Sequence, residues 1–297
     1  MSDRSDLASP LVTDLLTRCS FPPPGTPVVC AVSGGADSLA LLVLAVAASC
    51  EVTAVHVDHG ARAGSEVEAE LVAEVAGRLG VEFRAARVEV PPGPNFEARA
   101  RRARYGVLPG GVLTGHTADD QAETVLLNLV RGAALDGLAG IRPEGRPLLG
   151  LRRHETERLC AELGLDPFTD PTNTDPAHRR NRIRHEVMPL LDAIAERDVA
   201  ALVARQAALA REAVEHLESE ADELDPTDAR KLAGAPLALA RLAIRRWVSE
   251  VTCLDHPIDA AAVQRVLDVA TGAAKGADVV AGWQVRRTNS RLRLERH

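Results

Sequence analysis

The sequence predicts an α/β fold, in which a Rossmann-like doubly wound parallel sheet is followed by a mainly helical C-terminal domain. Two observations predict it. Short β-branched runs alternate with helical patterns over the first half of the chain, as in successive βαβ units. From about residue 188 the pattern becomes helical and rich in alanine, apart from an alternating tail. We therefore expect one domain over residues 1–190 and a second over residues 191–297.

The predicted sheet has four clear strands and a short fifth one, with helices between them. The strands are expected at residues 27–32, 52–57, 82–90, 112–115 and 147–150. The helices of this domain are expected at residues 38–48, 66–79, 97–105, 119–130 and 154–163. In the second domain we expect helices at residues 190–223, 237–248 and 258–269. A terminal β-hairpin should follow, with its turn near Asn289.

The composition is that of an ordinary globular protein, with 46% hydrophobic and 26% charged residues in a chain of 297. No stretch reaches the roughly 18–20 apolar residues of a membrane span, and the charged N-terminus lacks a signal-peptide core. The five cysteines are scattered and never paired as CxxC, which fits reduced cytosolic thiols rather than zinc or disulfides. We therefore expect a cytoplasmic protein without a membrane partner.

A glycine-rich loop follows the first predicted strand and precedes an apolar helix. It comprises Ser33, Gly34, Gly35, Ala36, Asp37 and Ser38. The glycines let consecutive N–H groups face one anion, and the helix adds its positive dipole end. Asp37 would repel a phosphate unless Mg²⁺ lies between the two, so we also expect a metal at Asp37. The loop lacks the lysine of the GxxxxGK[ST] motif, which disfavours a kinase or GTPase.

Polar motifs also follow the second and fourth predicted strands. They begin with His56 in HVDHG and with His116 in HTADDQAET. Ligands of doubly wound sheets bind at the carboxyl ends of the strands. Asp120 and Glu123 share a helix face, where they are placed to hold Mg²⁺ or a cationic amine, and His116 to move a proton or contact phosphate. If Asp119 and Asp120 only cap the helix, His116 and Glu123 remain unexplained.

Three arginine-rich segments give local basic surfaces to a chain of net charge −7. They are residues 99–104, 178–185 and 286–297. Local potential governs contact, so such patches can bind RNA on an acidic protein. The second segment also alternates arginine with asparagine, which suits phosphate forks and an amide that reads a base edge. The alternatives are solvated arginine faces and, for the second segment, a loop paired with its acidic neighbours.

Five motifs together resemble one family within the PP-loop ATP-pyrophosphatases, the tRNA(Ile)-lysidine synthetases. They are SGGADS, VDHG, EARARRARY, GHTADDQAETVLLNLVRG and DPTNTDPAHRRNRIRHEVMP. The one departure, Thr172 in place of the usual serine, keeps a hydroxyl group. The resemblance runs from about residue 28 to residue 191. Longer members carry an extra C-terminal domain, for which we expect no counterpart in this chain, and a homodimer is left open.

The resemblance implies that ATP, with Mg²⁺, activates a tRNA base for attack by free L-lysine. The wobble cytidine of tRNA(Ile) attacks the α-phosphate through its C2 carbonyl oxygen, pyrophosphate leaves, and the lysine ε-amine then displaces AMP. It implies catalytic roles for Asp37, His116, Asp120 and Glu123, of which the last two hold the lysine or deprotonate its amine. It places the nucleotide at residues 33–38 and His56. The implied RNA contacts are Arg101, Arg104, Arg131, Asn173, Arg180, Asn181, Arg182, Arg184 and His185.

The phosphate loop alone leaves rival functions open. A tRNA 2-thiolation enzyme would need paired cysteines or an iron–sulfur site to carry sulfur, and no cysteine is placed for this. An amide-forming synthetase would need a glutaminase domain or partner. A nucleotide-binding sensor of the same fold would need neither the Asp120 and Glu123 pair nor the arginine and asparagine segment.

Overall fold

The computed structural model describes residues 6–58, 66–88, 99, 103, 106–170, 175–253 and 258–296. The chain divides into two compact units, Met1–Ala208 and Leu209–His297. The division lies inside a long helix, Val199–Asp222, later in the chain than the domain boundary expected at residue 190.

A parallel sheet of four described strands forms the centre of the first unit. The strands are β1 (Pro27–Ala31), β2 (Glu51–Asp58), β3 (Glu82–Arg87) and β4 (Leu113–Thr114). Their order is β3-β2-β1-β4, and every neighbouring pair is parallel. Ala31 at the end of β1 is in register with Val55 of β2 and with Thr114 of β4. This register brings the carboxyl ends of three strands to one edge, as the α/β prediction requires.

The predicted fifth strand at residues 147–150 is wrong, because this segment forms turns. The N–H of Leu149 donates to the carbonyl of Arg146, and the N–H of Leu151 donates to the carbonyl of Leu148. These local hydrogen bonds replace a strand ladder. Leu148 and Leu151 are fully buried. The apolar character of the segment therefore reflects core packing rather than sheet formation.

The helices predicted at residues 38–48, 66–79, 119–130 and 154–163 are present within two residues of those bounds, and the first unit has further helices that were not predicted. In chain order, the helices of this unit are α1 (Pro10–Leu16), α2 (Ala36–Ala47), α3 (Glu66–Leu79), α4 (Ala118–Val130), α5 (Leu135–Leu138), α6 (Arg153–Glu162), α7 (Arg179–Arg182) and α8 (Met188–Ala195). A π-helical turn, Ile183–Val187, connects α7 to α8. The core lies around α2, whose residues from Leu39 to Ala45 are all buried. Of the predicted helix 97–105, only residues 99 and 103 are described.

The single long helix predicted at residues 190–223 is divided in two. Helix α8 ends at Glu196, which has a left-handed backbone with φ of 51°. Helix α9 (Val199–Asp222) then begins, and the Asp192 carboxylate accepts a hydrogen bond from the N–H of Val199 at 2.8 Å. An aspartate from one helix thus satisfies an N–H at the start of the next, a pairing that the alanine-rich pattern does not reveal.

The second unit has its own core of helices and a small sheet. After α9, its helices are α10 (Ala229–Gly234), α11 (Leu237–Thr252) and α12 (Ala260–Thr271). Three antiparallel strands follow, β5 (Gly276–Val280), β6 (Trp283–Thr288) and β7 (Arg291–Arg296). The predicted hairpin corresponds to β6 and β7, with Asn289 at φ of 56° in its turn, and β5 is an additional strand. Across the described residues, no helix combines the length and apolar character needed to span a bilayer.

Candidate functional site

The loop of residues 33–38 is folded by its own hydrogen bonds. The Ser38 hydroxyl accepts a hydrogen bond from the N–H of Ser33 at 3.1 Å and donates one to the carbonyl of Gly35 at 2.8 Å. Gly34 has φ of +89°, a conformation that favours glycine, and Gly35 is the N-cap residue of α2. The first N–H groups of α2 therefore stand at the loop with no intrahelical partners, which suits an anion.

A cavity of about 940 Å³ opens at this edge of the sheet, within the first unit. It is lined by the loop, by the carboxyl ends of β1, β2 and β4, by the start of α6, and by residues 165–170. Gly115, just after β4, lies against α2, because a Cβ atom there would be 2.4 Å from the carbonyl oxygen of Asp37. Only glycine fits this close approach. The end of β4 and the start of α2 therefore form one wall of the cavity.

Two of the predicted site residues, His56 and His116, line this cavity and are oriented by strand ends. His56 is 2% exposed, and its Nδ1 lies 2.9 Å from the carbonyl oxygen of Val32. Because a carbonyl only accepts, Nδ1 of His56 carries the hydrogen. The Nδ1 atom of His116 lies 2.6 Å from the Thr114 hydroxyl. Both imidazole rings are thereby fixed at the edge where the sheet meets the loop.

Asp37 occupies the first turn of α2 and faces the cavity. Its carboxylate accepts a short hydrogen bond from the Thr156 hydroxyl and a longer one, 3.4 Å, from Nε of Arg153. Burial, followed by the negative charge of Asp120, raises the pKa of Asp37 to about 6 even though Arg153 and Thr156 lower it. The negative charge of the Asp37 carboxylate is therefore only partly compensated by its neighbours.

A magnesium ion bound through phosphate oxygens suits this carboxylate. Mg²⁺ is commonly held by one or two carboxylates together with substrate phosphates, and Asp37 supplies one carboxylate beside a phosphate-type loop. Among the described residues there is no group of three or more histidine, cysteine or acidic side chains arranged to hold a metal without a ligand. The residues at Asp37 therefore fit Mg²⁺ only when a nucleotide supplies further oxygens.

Asp120 and Glu123 form the acidic pair that the sequence predicts on one face of α4. Asp120 caps the helix, since its carboxylate accepts from the N–H of Thr117 at 2.9 Å, and it also accepts from Arg153 at 3.1 Å. Glu123 is 1% exposed and accepts from Arg153 at 3.1 Å and from Arg184 at 2.7 Å. Asp120 therefore combines capping with ion pairing, whereas Glu123 is held by ion pairs.

Arg180 completes the set of guanidinium groups around the pair. Its Nε donates to Glu123 at 2.7 Å, and its Nη2 donates to Asp120 at 3.0 Å. Burial by itself would raise the pKa of both carboxyls, but the neighbouring guanidinium groups outweigh burial and lower both pKa values. The pair is therefore ionised at neutral pH and matched by three cations.

Arg153 is the central site residue that the sequence reasoning missed. It stands in the first turn of α6, lines the cavity, and contacts Asp37, Asp120 and Glu123. No motif marks it, because it is one arginine among many and the residues it contacts are at least 30 positions away in sequence. Phe168 was also missed, and its N–H donates to the carbonyl of Gly34 at 3.0 Å.

The predicted RNA-contacting residues other than Asn181 divide into three groups. Arg131, Arg182 and His185 are exposed, although Arg182 pairs with Glu186. Arg180 and Arg184 are engaged with the acidic pair, as the salt-bridged alternative for this segment anticipates. Arg101, Arg104 and Asn173 lie outside the described residues.

Asn181 differs from the other members of its segment because it is buried. Its amide donates to the carbonyl of Asp175 at 2.9 Å, at the end of the preceding loop. In this arrangement the Asn181 amide braces the loop instead of pointing outward to a base edge.

None of the five cysteines, all of them described, is among the residues that line the cavity, although the Cys160 thiol lies behind its wall and donates to the carbonyl of Ala36. Burial raises the pKa of Cys19, Cys30 and Cys160 to about 12, which keeps these thiols protonated. A thiolation enzyme needs thiolates or a cluster at its nucleotide site. These positions give no support to sulfur transfer.

Comparison with known proteins gives matches over most of the chain. A PP-loop domain family matches residues 12–191. The tRNA(Ile)-lysidine synthase of Rhodococcus erythropolis is 44% identical over 238 residues, covering 74% of this chain and 73% of that protein. The enzyme of the same name from Nocardia farcinica is 45% identical over 238 residues, covering 74% and 75%.

Among solved structures, a U34-tRNA thiolase, NcsA, from Methanococcus maripaludis, with its [4Fe-4S] cluster, is similar with a TM-score of 0.53. The identity is 15%, over 72% of this chain and 81% of that one. At this identity the likeness concerns the fold alone.

Proposed function

This chain belongs to the tRNA(Ile)-lysidine synthase family, and from that premise we propose that the cavity beside residues 33–38 is where it joins L-lysine to tRNA(Ile). The protein is an ATP-dependent ligase that forms lysidine on tRNA(Ile). One observation carries the choice of site: a phosphate-type loop and Asp120, half of a charged acidic pair, line a single cavity.

We assign the ATP phosphates to the loop at residues 33–38 and the nucleoside to the strand ends near His56. A cavity of about 940 Å³ lies within the roughly 300–1,000 Å³ range of small-molecule sites. Mg²⁺, held by Asp37 and phosphate oxygens, would neutralise the charge that develops on the phosphates. The loop N–H groups then orient the α-phosphate toward the attacking base.

In the first step the C2 carbonyl oxygen of the wobble cytidine attacks the α-phosphorus, and pyrophosphate leaves. In the second step the lysine ε-amine attacks C2, and AMP leaves with the bonding electrons. The amine must lose a proton for this attack. Asp120 and Glu123 are weak bases, because their pKa values are lowered, so we assign the pair to holding the ammonium group. Asp120, which lines the cavity, makes the contact, and the buried Glu123 adds its charge behind it. We assign proton acceptance to His116, whose ring is oriented by Thr114.

RNA contact is assigned to the exposed basic residues beside the cavity and to the second unit. Arg131, Arg182 and His185 are exposed, which supports contact with phosphates of the anticodon arm. A single-stranded anticodon loop lets the cytidine turn into the cavity without melting of a duplex. We keep Arg180, Arg184 and the residues outside the described part of the chain as further proposed contacts. The free thiols support a cytoplasmic location.

The test is incorporation of labelled lysine into tRNA(Ile) transcripts that carry either cytidine or uridine at the wobble position. We expect ATP-dependent incorporation into the cytidine transcript and none into the uridine transcript. Lysidine is a modified cytidine, and uridine has a carbonyl group where cytidine has its amino group. Omission of ATP serves as the control. If folded protein labels neither transcript, the proposal is wrong.

A further inference from the structure

Arg153 joins the two halves of the site through one guanidinium group. Its Nε faces Asp37 of α2 at 3.4 Å, its Nη1 faces Glu123 of α4 at 3.1 Å, and its Nη2 faces Asp120 at 3.1 Å. Each nitrogen of the group thus addresses a different carboxylate. The first carboxylate belongs to the phosphate loop, and the other two form the acidic pair.

The backbone of α6 holds this guanidinium in place. The N–H of Arg153 donates to Asp119 at 2.7 Å, and Arg152 forms a two-pronged pair with the same carboxylate. One turn later, Thr156 donates to Asp37. The start of α6 is therefore fixed to the starts of both α2 and α4, and Arg153 has little freedom to move.

The other two arginines of the cluster do not make this connection. Within the described residues, the ion pairs of Arg180 and Arg184 are to Asp120 and Glu123, and only Arg153 also reaches Asp37. Burial by itself would lower the pKa of Arg153, but the carboxylates raise it above its ordinary value. The group is therefore a permanent cation, with the planar set of donors that three carboxylates require.

From this geometry we propose that Arg153 is a positioning residue that couples the ATP loop to the lysine-holding pair, so that both steps of the reaction depend on it. The proposal rests on the function proposed above. Its consequence is that loss of Arg153 disturbs Asp37 and the acidic pair together. A displacement of about 1 Å at reacting groups can cost roughly 10²-fold in rate.

The experiment compares Arg153→Ala and Arg153→Lys with Arg158→Ala. Arg158 is on the same helix but exposed, so it is a matched control. Adenylation is measured as the tRNA-dependent exchange of labelled pyrophosphate into ATP in the absence of lysine. Lysine transfer is measured in the complete reaction, as kcat and KM for lysine. For Arg153→Ala we expect kcat to fall by roughly 10²-fold in both assays. We expect KM for ATP to stay within about threefold, since the loop N–H groups remain.

Chemical rescue separates positioning from general folding. Millimolar guanidinium should restore part of both activities in Arg153→Ala and none in Arg153→Lys, where the ammonium group fills the space. If Arg153→Ala does not fold, as judged by its melting temperature, Arg153→Lys carries the test with losses expected in both assays.

Loss in only one assay, or rates equal to those of Arg158→Ala, would overturn the coupling. A wild-type protein that exchanges pyrophosphate but transfers no lysine would overturn the proposed function instead, and with it this inference.

Discussion

Glu123 shows at the scale of one residue how the site is held together. Its side chain is nearly inaccessible to solvent, and it receives hydrogen bonds from Arg153, Arg180 and Arg184. A buried carboxylate is tolerated only when charge and hydrogen bonds compensate its lost hydration. The spacing of Asp120 and Glu123 predicts that they share a helix face. It does not predict that arginines from two other segments fill that face.

Glu123→Gln should destabilise the protein and weaken lysine binding. The amide keeps the shape of the side chain but removes the charge that balances three guanidinium groups, and breaking a buried ion pair costs about 3–5 kcal/mol. Urea unfolding gives the free energy, and the transfer assay gives KM for lysine. Glu186→Gln is the control, because its ion pair with Arg182 is exposed and screened by solvent, so that its loss should change stability little. Equal losses in the two variants would contradict this account of Glu123.

At the scale of elements, the cavity depends on how closely β4 and α2 approach each other. Gly115→Ala should displace the start of α2, because the added Cβ would lie 2.4 Å from the Asp37 carbonyl oxygen. We expect the free energy of unfolding to fall by roughly 1–3 kcal/mol. We also expect the rate of pyrophosphate exchange to fall by more than this loss of folded protein would explain. Thermal unfolding and the exchange assay measure the two effects. Gly110→Ala is the control, since open space surrounds that position, and comparable losses there would refute the argument.

Local patterns predicted those elements whose limits are set by neighbouring residues. Helix α3 ends at Leu79 as predicted, because an amphipathic pattern ends at Gly80. The strand prediction for residues 147–150 is wrong because a buried turn and a buried strand have the same apolar composition. The break at Glu196 depends on the Asp192 carboxylate accepting from the N–H of Val199. Such pairings are decided by tertiary contact and leave no periodic signal.

At the scale of the whole molecule, the candidate site also contains features set by consecutive residues and features set by tertiary contacts. The loop at residues 33–38 and the motif containing His116 could be found from the sequence, because their chemistry lies in consecutive residues. Arg153 could not, since its role arises from three carboxylates brought together by the sheet topology. The family match over residues 12–191 covers these motifs, while the second unit has a separate core.

We propose that adenylation and lysine transfer take place in the same cavity, which Asp37 lines. The most direct test of this proposal is nucleoside mass spectrometry of tRNA(Ile) after incubation with ATP, lysine and either wild-type protein or folded Asp37→Ala. We predict lysidine at the wobble position with the wild type, and neither lysidine nor pyrophosphate release above background with the variant. Lysidine formation by Asp37→Ala at near the wild-type rate would contradict the proposal.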